Sequence, residues 1–188
     1  MPEQIDPLSD QALVAAFKDE RMRETAFTQL VRKYQERLYW HIRRMVPTHD
    51  DANDILQNVF IKVWKNLDSF REESNLYTWL YRIGTNETLT WIDMQKRFTT
   101  VSMSDNEEYY DNKLTSQKDF DPSKIEWKLQ QAINTLPQKQ KIVFNLRYYD
   151  EMPYEDMSMV LNTSVGALKA SYHHAVKKVE EFLTDKER

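Results

Sequence analysis

Only two glycines, Gly84 and Gly166, occur in 188 residues. Tight hairpin turns and dinucleotide-binding loops draw on glycine for positive φ, so a chain this poor in it has little means of making them. Neither a GxGxxG pattern nor a phosphate-binding loop can be written anywhere along it. Apolar residues make up 40% of the chain and recur at helical spacing, which predicts an all-α protein with real cores. The absence of cysteine removes disulfides, thiolate metal sites and cysteine nucleophiles together. The first ten residues, MPEQIDPLSD, are acidic and lack the apolar stretch of a secretory leader. No apolar run approaches the ~18 residues of a membrane span, so a cytoplasmic protein is expected.

The periodic stretches fall into two groups. Residues 24–46 read as a long amphipathic helix with Phe27, Leu30, Val31, Tyr34, Leu38, Ile42 and Met45 on one face and Pro47 closing it. Thr48 with Asp51 predicts a capping box for a second helix running to about Leu67. A polar loop, residues 68–75, precedes a third helix from Leu76 to about Arg97, and Ser9 or Asp10 is placed to cap a shorter first helix. Residues 99–123 lose the periodicity and carry six acids against two lysines, which reads as a flexible acidic linker. Ser123 and Glu126 then predict another capping box, and Pro137 suits the first turn of the helix that ends near Asp150. The expected domains are 1–98 and 124–188, joined by the 99–123 linker.

The C-terminal segment PYEDMSMVLNTSVGALKASYHHAVKK (153–178) places a short helix, a tight Asn162-Thr163 turn and a longer helix in succession. Two helices joined so closely cross steeply, the helix-turn-helix geometry. On the second of them Leu168, Tyr172, Ala175, Val179, Phe182 and Leu183 face inward by spacing. Gly166, Ala170, His173, His174 and Lys177 fall on another face with Lys169 beside them. From Ser164 to Lys178 there are three lysines, two histidines and no acid in a chain of net charge -4. Small residues at the helix start and cations along it suit a DNA groove. The same pattern also fits a helical hairpin with a solvated basic edge.

Two other surfaces remain after packing. The second long helix leaves a stripe of Asp54, Gln57, Asn58, Ile61, Lys62 and Lys65, which reads either as solvated or as a protein contact. On the third, Leu76, Trp79, Leu80 and Ile83 look inward, while Tyr77 and Tyr81 turn to another side with Arg82 and Asn86 nearby. Rings interleaved with Arg and Asn suit unpaired bases, which stack at ~1–3 kcal/mol each. Tyrosines capping the core with wet hydroxyls explain the pattern equally well.

Taken in order, FTQLVRKYQERLYWHIRRM (27–45), DANDILQNVFIKVWKNLDSF (51–70), LYTWLYRIGTNETLTWIDMQKR (76–97), LPQKQKIVFNLRYYDEMPYEDMSMVL (136–161) and SVGALKASYHHAVKKV (164–179) resemble a bacterial RNA polymerase sigma factor of the extracytoplasmic-function type. The tyrosine content and the SVGALKASYHHAVKK form look similar to members from the Bacteroidetes. The resemblance implies that Asp54, Gln57 and Asn58 dock on the clamp helices of the polymerase β′ subunit. It implies that Phe70, Arg71, Glu72, Glu73, Ser74 and Asn75 capture a flipped −10 base, with Tyr77, Tyr81, Arg82 and Asn86 lining the melted strand. It implies −35 recognition by Ser164, Gly166, Lys169, Ala170, Ser171, His173, His174 and Lys177. Core RNA polymerase (β′ clamp helices and β flap), promoter DNA and an anti-sigma factor are the expected partners; no cofactor, metal or small-molecule substrate is expected. Family members usually carry several arginines on the recognition helix, whereas Lys169, Ser171, His174 and Val176 stand here. Free −35 affinity is therefore expected to be poor, since a guanine pair is worth ~1–3 kcal/mol.

The leading reading is thus a transcription initiation factor that catalyses nothing itself. A DNA-binding regulator that never engages polymerase is the alternative, and it needs neither the Asp54/Gln57 stripe nor the aromatic third helix. A helical enzyme is the third reading, but His41, His49, His173 and His174 lack metal-ligand spacing with carboxylates, and no paired nucleophile and base is present.

Overall fold

The structure, a computed structural model, describes residues 9–71, 74–101 and 124–185. Among the described residues it is helical throughout: α1 (Asp10–Lys18), α2 (Arg23–Arg43), α3 (His49–Asn66), α4 (Leu76–Val101), α5 (Lys124–Asn134), α6 (Gln138–Tyr148), α7 (Tyr154–Leu161) and α8 (Val165–Asp185). A 3₁₀ turn, Leu67–Ser69, follows α3. The scarcity of glycine and the helical apolar spacing led to the same class.

The caps explain where the helices begin. Ser9 takes the first cap, its hydroxyl accepting from the Ala12 N–H at 3.2 Å, and Asp10 falls inside the first turn. Asp10 then accepts from the Tyr34 phenol at 2.7 Å and from Lys33 at 2.8 Å, tying α1 to α2. Thr48 caps α3 by accepting from the Asp51 N–H at 3.1 Å, and the two side chains also bond each other. Pro137 does not open α6 from within, as expected, but stands in the cap position before Gln138. Its extended ψ of 142° leaves its carbonyl to accept from the Lys141 N–H at 2.9 Å. The third long helix also runs past Arg97 to Val101, into the segment expected to be linker. Ser123 and residues 102–123 lie outside the described residues.

The predicted inward faces are the ones that pack. Leu30, Leu38 and Ile42 of α2, Ile55, Val59 and Val63 of α3, and Leu76 and Leu80 of α4 are buried together with Leu13 and Phe17 of α1. Fully burying one such side chain stabilises by about 1.5–3 kcal/mol. A second cluster joins Ala132, Ile133, Leu136, Phe144, Ala175 and Val179 of α5, α6 and α8. The larger cluster does not stop at the N-terminal helices. It continues through Tyr81 into Ile142, Val143, Leu146, Met152, Met157, Val160 and Leu168, so the two groups of helices share one apolar interior, with α4 lying against α7. That explains why five consecutive residues of α6, Ile142 to Leu146, are all buried.

Asn162 ends α7 with φ 49° and ψ 47°, the left-handed conformation that Asn tolerates better than other non-glycine residues. This residue sets the angle between α7 and α8. Asn162→Gly should leave the urea midpoint of the full chain nearly unchanged, whereas Asn162→Val should cost about 1–2 kcal/mol. Equal stability of the Val variant would show that the turn does not depend on the left-handed residue.

Candidate polymerase and DNA surfaces

The exposed side of α3 carries Asp54, Gln57, Asn58, Ile61, Lys62 and Lys65, all at the surface, as the spacing predicts. Ile61 is 45% exposed, which makes the stripe more apolar than a merely solvated face. Lys62 pairs with Glu87 of α4, fixing this edge of α3 against its neighbour.

The loop after α3 and the start of α4 give a more divided picture. Arg71 is exposed, Ser74 is half-buried, and Glu72 and Glu73 lie outside the described residues. Phe70 is no free aromatic: it is only 8% exposed and packs on Trp79 with ring centroids 5.2 Å apart. Asn75 caps α4, its side-chain oxygen accepting from the Thr78 N–H at 2.8 Å and the Thr78 hydroxyl at 2.6 Å. A cleft of about 550 Å³ lies between Phe70, Arg71, Ser74 and Arg82 on one side and Ser158, Met159 and Asn162 of the C-terminal helices on the other. Arg82 and Asn86 face solvent along α4.

The Tyr77 and Tyr81 rings meet at a tilt, centroids 4.3 Å apart, but Tyr81 is 1% exposed and so presents no open stacking surface here. The reason lies in the other half of the chain. Asp150, just past the end of α6, inserts its carboxylate between α2 and α4, where its side chain is 6% exposed. It accepts from His41 Nδ1 at 2.9 Å, from the Arg44 guanidinium at 3.1 Å and from the Tyr81 phenol at 3.3 Å. The Tyr77 phenol donates to the Asp150 backbone carbonyl at 3.3 Å. His41 is itself fully buried, its Nε2 held 2.9 Å from the Thr85 hydroxyl oxygen, and its ring lies 4.8 Å from Tyr81. Arg44 also sits 4.2 Å above the Tyr149 ring.

Sequence reasoning passed over this junction. His41 follows Leu38 and precedes Ile42 and Met45 on an apolar face, a signal that its imidazole would need a buried partner. Nothing in the sequence points from there to Asp150, more than a hundred residues on.

On α8 the expected recognition face is open. Gly166, Lys169, Ala170, His173, His174 and Lys177 are exposed, and Ser171 is half-buried. Ser164 is exposed and accepts from the Ala167 N–H at 3.3 Å, as a helix cap does. A β-carbon on Gly166 would meet nothing within 4 Å, so packing does not require glycine there. Lys169 leans toward the Tyr154 ring at 5.6 Å, and Lys177 lies 3.9 Å from Glu181 on its own helix.

Residues 30–98 match the Sigma-70 region 2 family and residues 126–179 match Sigma-70, region 4. The ECF RNA polymerase sigma-E factor of Haemophilus influenzae is 30% identical, over 93% of this chain and 95% of its own length. The chain belongs to the ECF RNA polymerase sigma factors. The sigma-E factor of Escherichia coli K12 is 29% identical over 93% of this chain and 94% of its own. Among solved structures, the sigma factor RpoE in complex with the anti-sigma factor NepR from Bartonella quintana superposes with a TM-score of 0.67. That match has 22% identity and covers 84% of this chain and 96% of RpoE. CnrH, solved with the cytosolic domain of CnrY, gives a TM-score of 0.64 at 22% identity, over 94% and 97% of the two chains. These two likenesses concern the fold. As a sigma factor the chain serves promoter-specific transcription initiation with core RNA polymerase.

The buried phenols give the family member a pH signature. Burial first, then the Asp150 charge, pushes the Tyr81 phenol far above its ordinary 10.0; burial, then the bond to Asp10, does the same to Tyr34. A pKa raised by folding contributes stability that is fully present below the unfolded value and lost as pH rises through the folded one. The melting temperature should therefore fall once pH exceeds about 10, and the fall should be shallower in Tyr34→Phe/Tyr81→Phe. A melting temperature flat up to pH 11.5 would contradict the buried, donating phenols.

Proposed function

We propose that the exposed face of α3 around Asp54, Gln57 and Asn58 binds core RNA polymerase at the β′ clamp helices. The loop Phe70–Asn75, with Tyr77, Tyr81, Arg82 and Asn86 of α4, holds the unpaired −10 strand. The open face of α8, from Ser164 through Gly166, Lys169, Ala170, Ser171, His173 and His174 to Lys177, reads the −35 element, and the C-terminal helices also meet the β flap. The chain catalyses nothing itself and acts in the cytoplasm. Among the described residues no helix is long and apolar enough to cross a membrane.

One observation carries this division of labour. The same chain exposes a mixed polar and apolar stripe on α3 and a separate cationic face on α8. A regulator that binds DNA alone needs only the second. An anti-sigma factor is a further proposed partner, because the similar RpoE was solved with one and this chain shares its fold.

Run-off transcription with cognate core polymerase on genomic fragments tests the reading and reveals the promoters. Asp54→Ala/Gln57→Ala should weaken core binding at least about tenfold, on the order of 1.4 kcal/mol, with helicity unchanged because both side chains are exposed. Full core affinity of the double variant in a pull-down would remove the α3 assignment. Replacing residues 71–75 by a Gly/Ser linker should abolish permanganate-reactive open complex while sparing core binding. Normal melting by that variant would remove the loop's role.

A further inference from the structure

We infer that His41, Arg44 and Tyr81, with Tyr77 beside them, form an oxyanion site with two alternative ligands: the chain's own Asp150 carboxylate, and a backbone phosphate of the unpaired DNA strand. The two ligands exclude each other, so the closed chain is self-inhibited toward the strand. This rests on the proposed role of α4 as the strand-binding helix.

Ownership of the groups is the first argument. Every side chain shown donating to the Asp150 carboxylate, from His41, Arg44 and Tyr81, belongs to α2, its C-terminal cap or α4. The C-terminal helices supply only the anion. The N-terminal half thus carries a converging set of N–H and O–H donors, which in the closed chain Asp150 satisfies; a buried donor left unpaired there would cost about 1–3 kcal/mol. Carboxylate and phosphate oxygens take the same charge-assisted bonds from a guanidinium, an imidazole and a phenol. Burial keeps the Tyr77 and Tyr81 phenols protonated and donating.

Continuity is the second argument. The Asp150 site opens into a cleft of about 610 Å³ whose N-terminal wall carries Arg37 and Trp40 of α2 and Arg44 at its end, with one acid, Glu36, among them; Glu151 lines it from the C-terminal half, beside Asp150. Trp40 is 46% exposed there. A cationic track with an exposed ring leading from a closed anion site is what an unpaired strand uses: phosphates on the cations, bases on the ring. The third argument is position. Asp150 is joined by a short connection to α7, which packs on α4, so a phosphate would enter only when Asp150 and α7 leave α4.

The test uses the full chain and a fluorescein-labelled 15-nucleotide single-stranded DNA of random sequence at low salt, read by anisotropy. Asp150→Asn, nearly isosteric, should bind at least about fivefold tighter than the unaltered chain, because apparent affinity scales with the open fraction. Small-angle scattering should show the variant more extended. Arg44→Gln added to Asp150→Asn should erase the gain, and a peptide nucleic acid of equal length, with no backbone charge, should show none. An Asp150→Asn chain that stays compact, or one that opens without binding DNA more tightly, overturns the inference. So does a gain that persists with the uncharged backbone, since stacking alone would then explain it. Run-off transcription by the unaltered chain checks the parent reading separately: run-off intact with no Asp150→Asn gain overturns the oxyanion site alone.

Discussion

Burying one carboxylate ties the two halves of this sigma factor together. Taking Asp150 out of water costs several kcal/mol unless its charge is met, and His41, Arg44 and Tyr81 meet it from two different helices. Those contacts are directional, so they select one placement of α6 and α7 on α4 among the many that apolar burial alone would accept. The apolar residues around them, from Tyr81 to Ile142, Leu146 and Val160, then supply area rather than direction. A buried ion pair is a poor source of net stability but a good source of specificity, and its loss is costly because a charge is left behind. That combination suits an interface that must form one way and still come apart.

Local structure was largely legible in the sequence, because it depends on neighbours. Helical spacing gave the inward faces of α2, α3 and α8, and Thr48 with Asp51 gave the start of α3. The exposure of Asp54, Gln57 and Asn58 follows from the same arithmetic: if Ile55, Val59 and Val63 are in, those positions are out. What the pattern could not give was the second burial of α4. Tyr77 and Tyr81 turn away from the N-terminal core, so spacing alone leaves them either wet or waiting for a ligand. Their partner is Asp150, and no local rule links residues separated by an acidic stretch. Pro137 went astray for a different reason: proline is compatible with both the cap and the first helical position, and its ψ decides.

Asn145 shows the cost of building α6 between two groups of helices. It is fully buried, and neither of its side-chain polar atoms finds a partner among the described residues. It precedes Tyr149 by one helical turn, and Tyr149 lies under Arg44 of α2. An amide held unpaired costs about 1–3 kcal/mol, comparable to the net worth of one or two ordinary hydrogen bonds. A helix that served only the C-terminal core would have no reason to bury five successive residues, this one included.

The two surfaces proposed to face DNA are unequally available in this arrangement, and the inequality bears on how a recognition helix poor in arginine could suffice. The α8 face is exposed, whereas on α4 Tyr81 is buried and Tyr77 half-buried beneath the C-terminal residues, with Arg82 and Asn86 still at the surface. Between Ser164 and Lys178 the cations are three lysines, so the isolated helix neutralises few phosphates and gains little affinity from them. Attached to polymerase through the proposed α3 contact, the same helix would meet promoter DNA at the effective concentration of a tethered ligand, which can raise avidity by about 10²–10⁴ with no new contact. On the proposed opening of the Asp150 junction, the α4 face would join that account at the same moment, and promoter recognition would depend on the open chain rather than on any single helix. On this view, arginines placed on α8 would strengthen binding to DNA away from polymerase, where a sigma factor has no task.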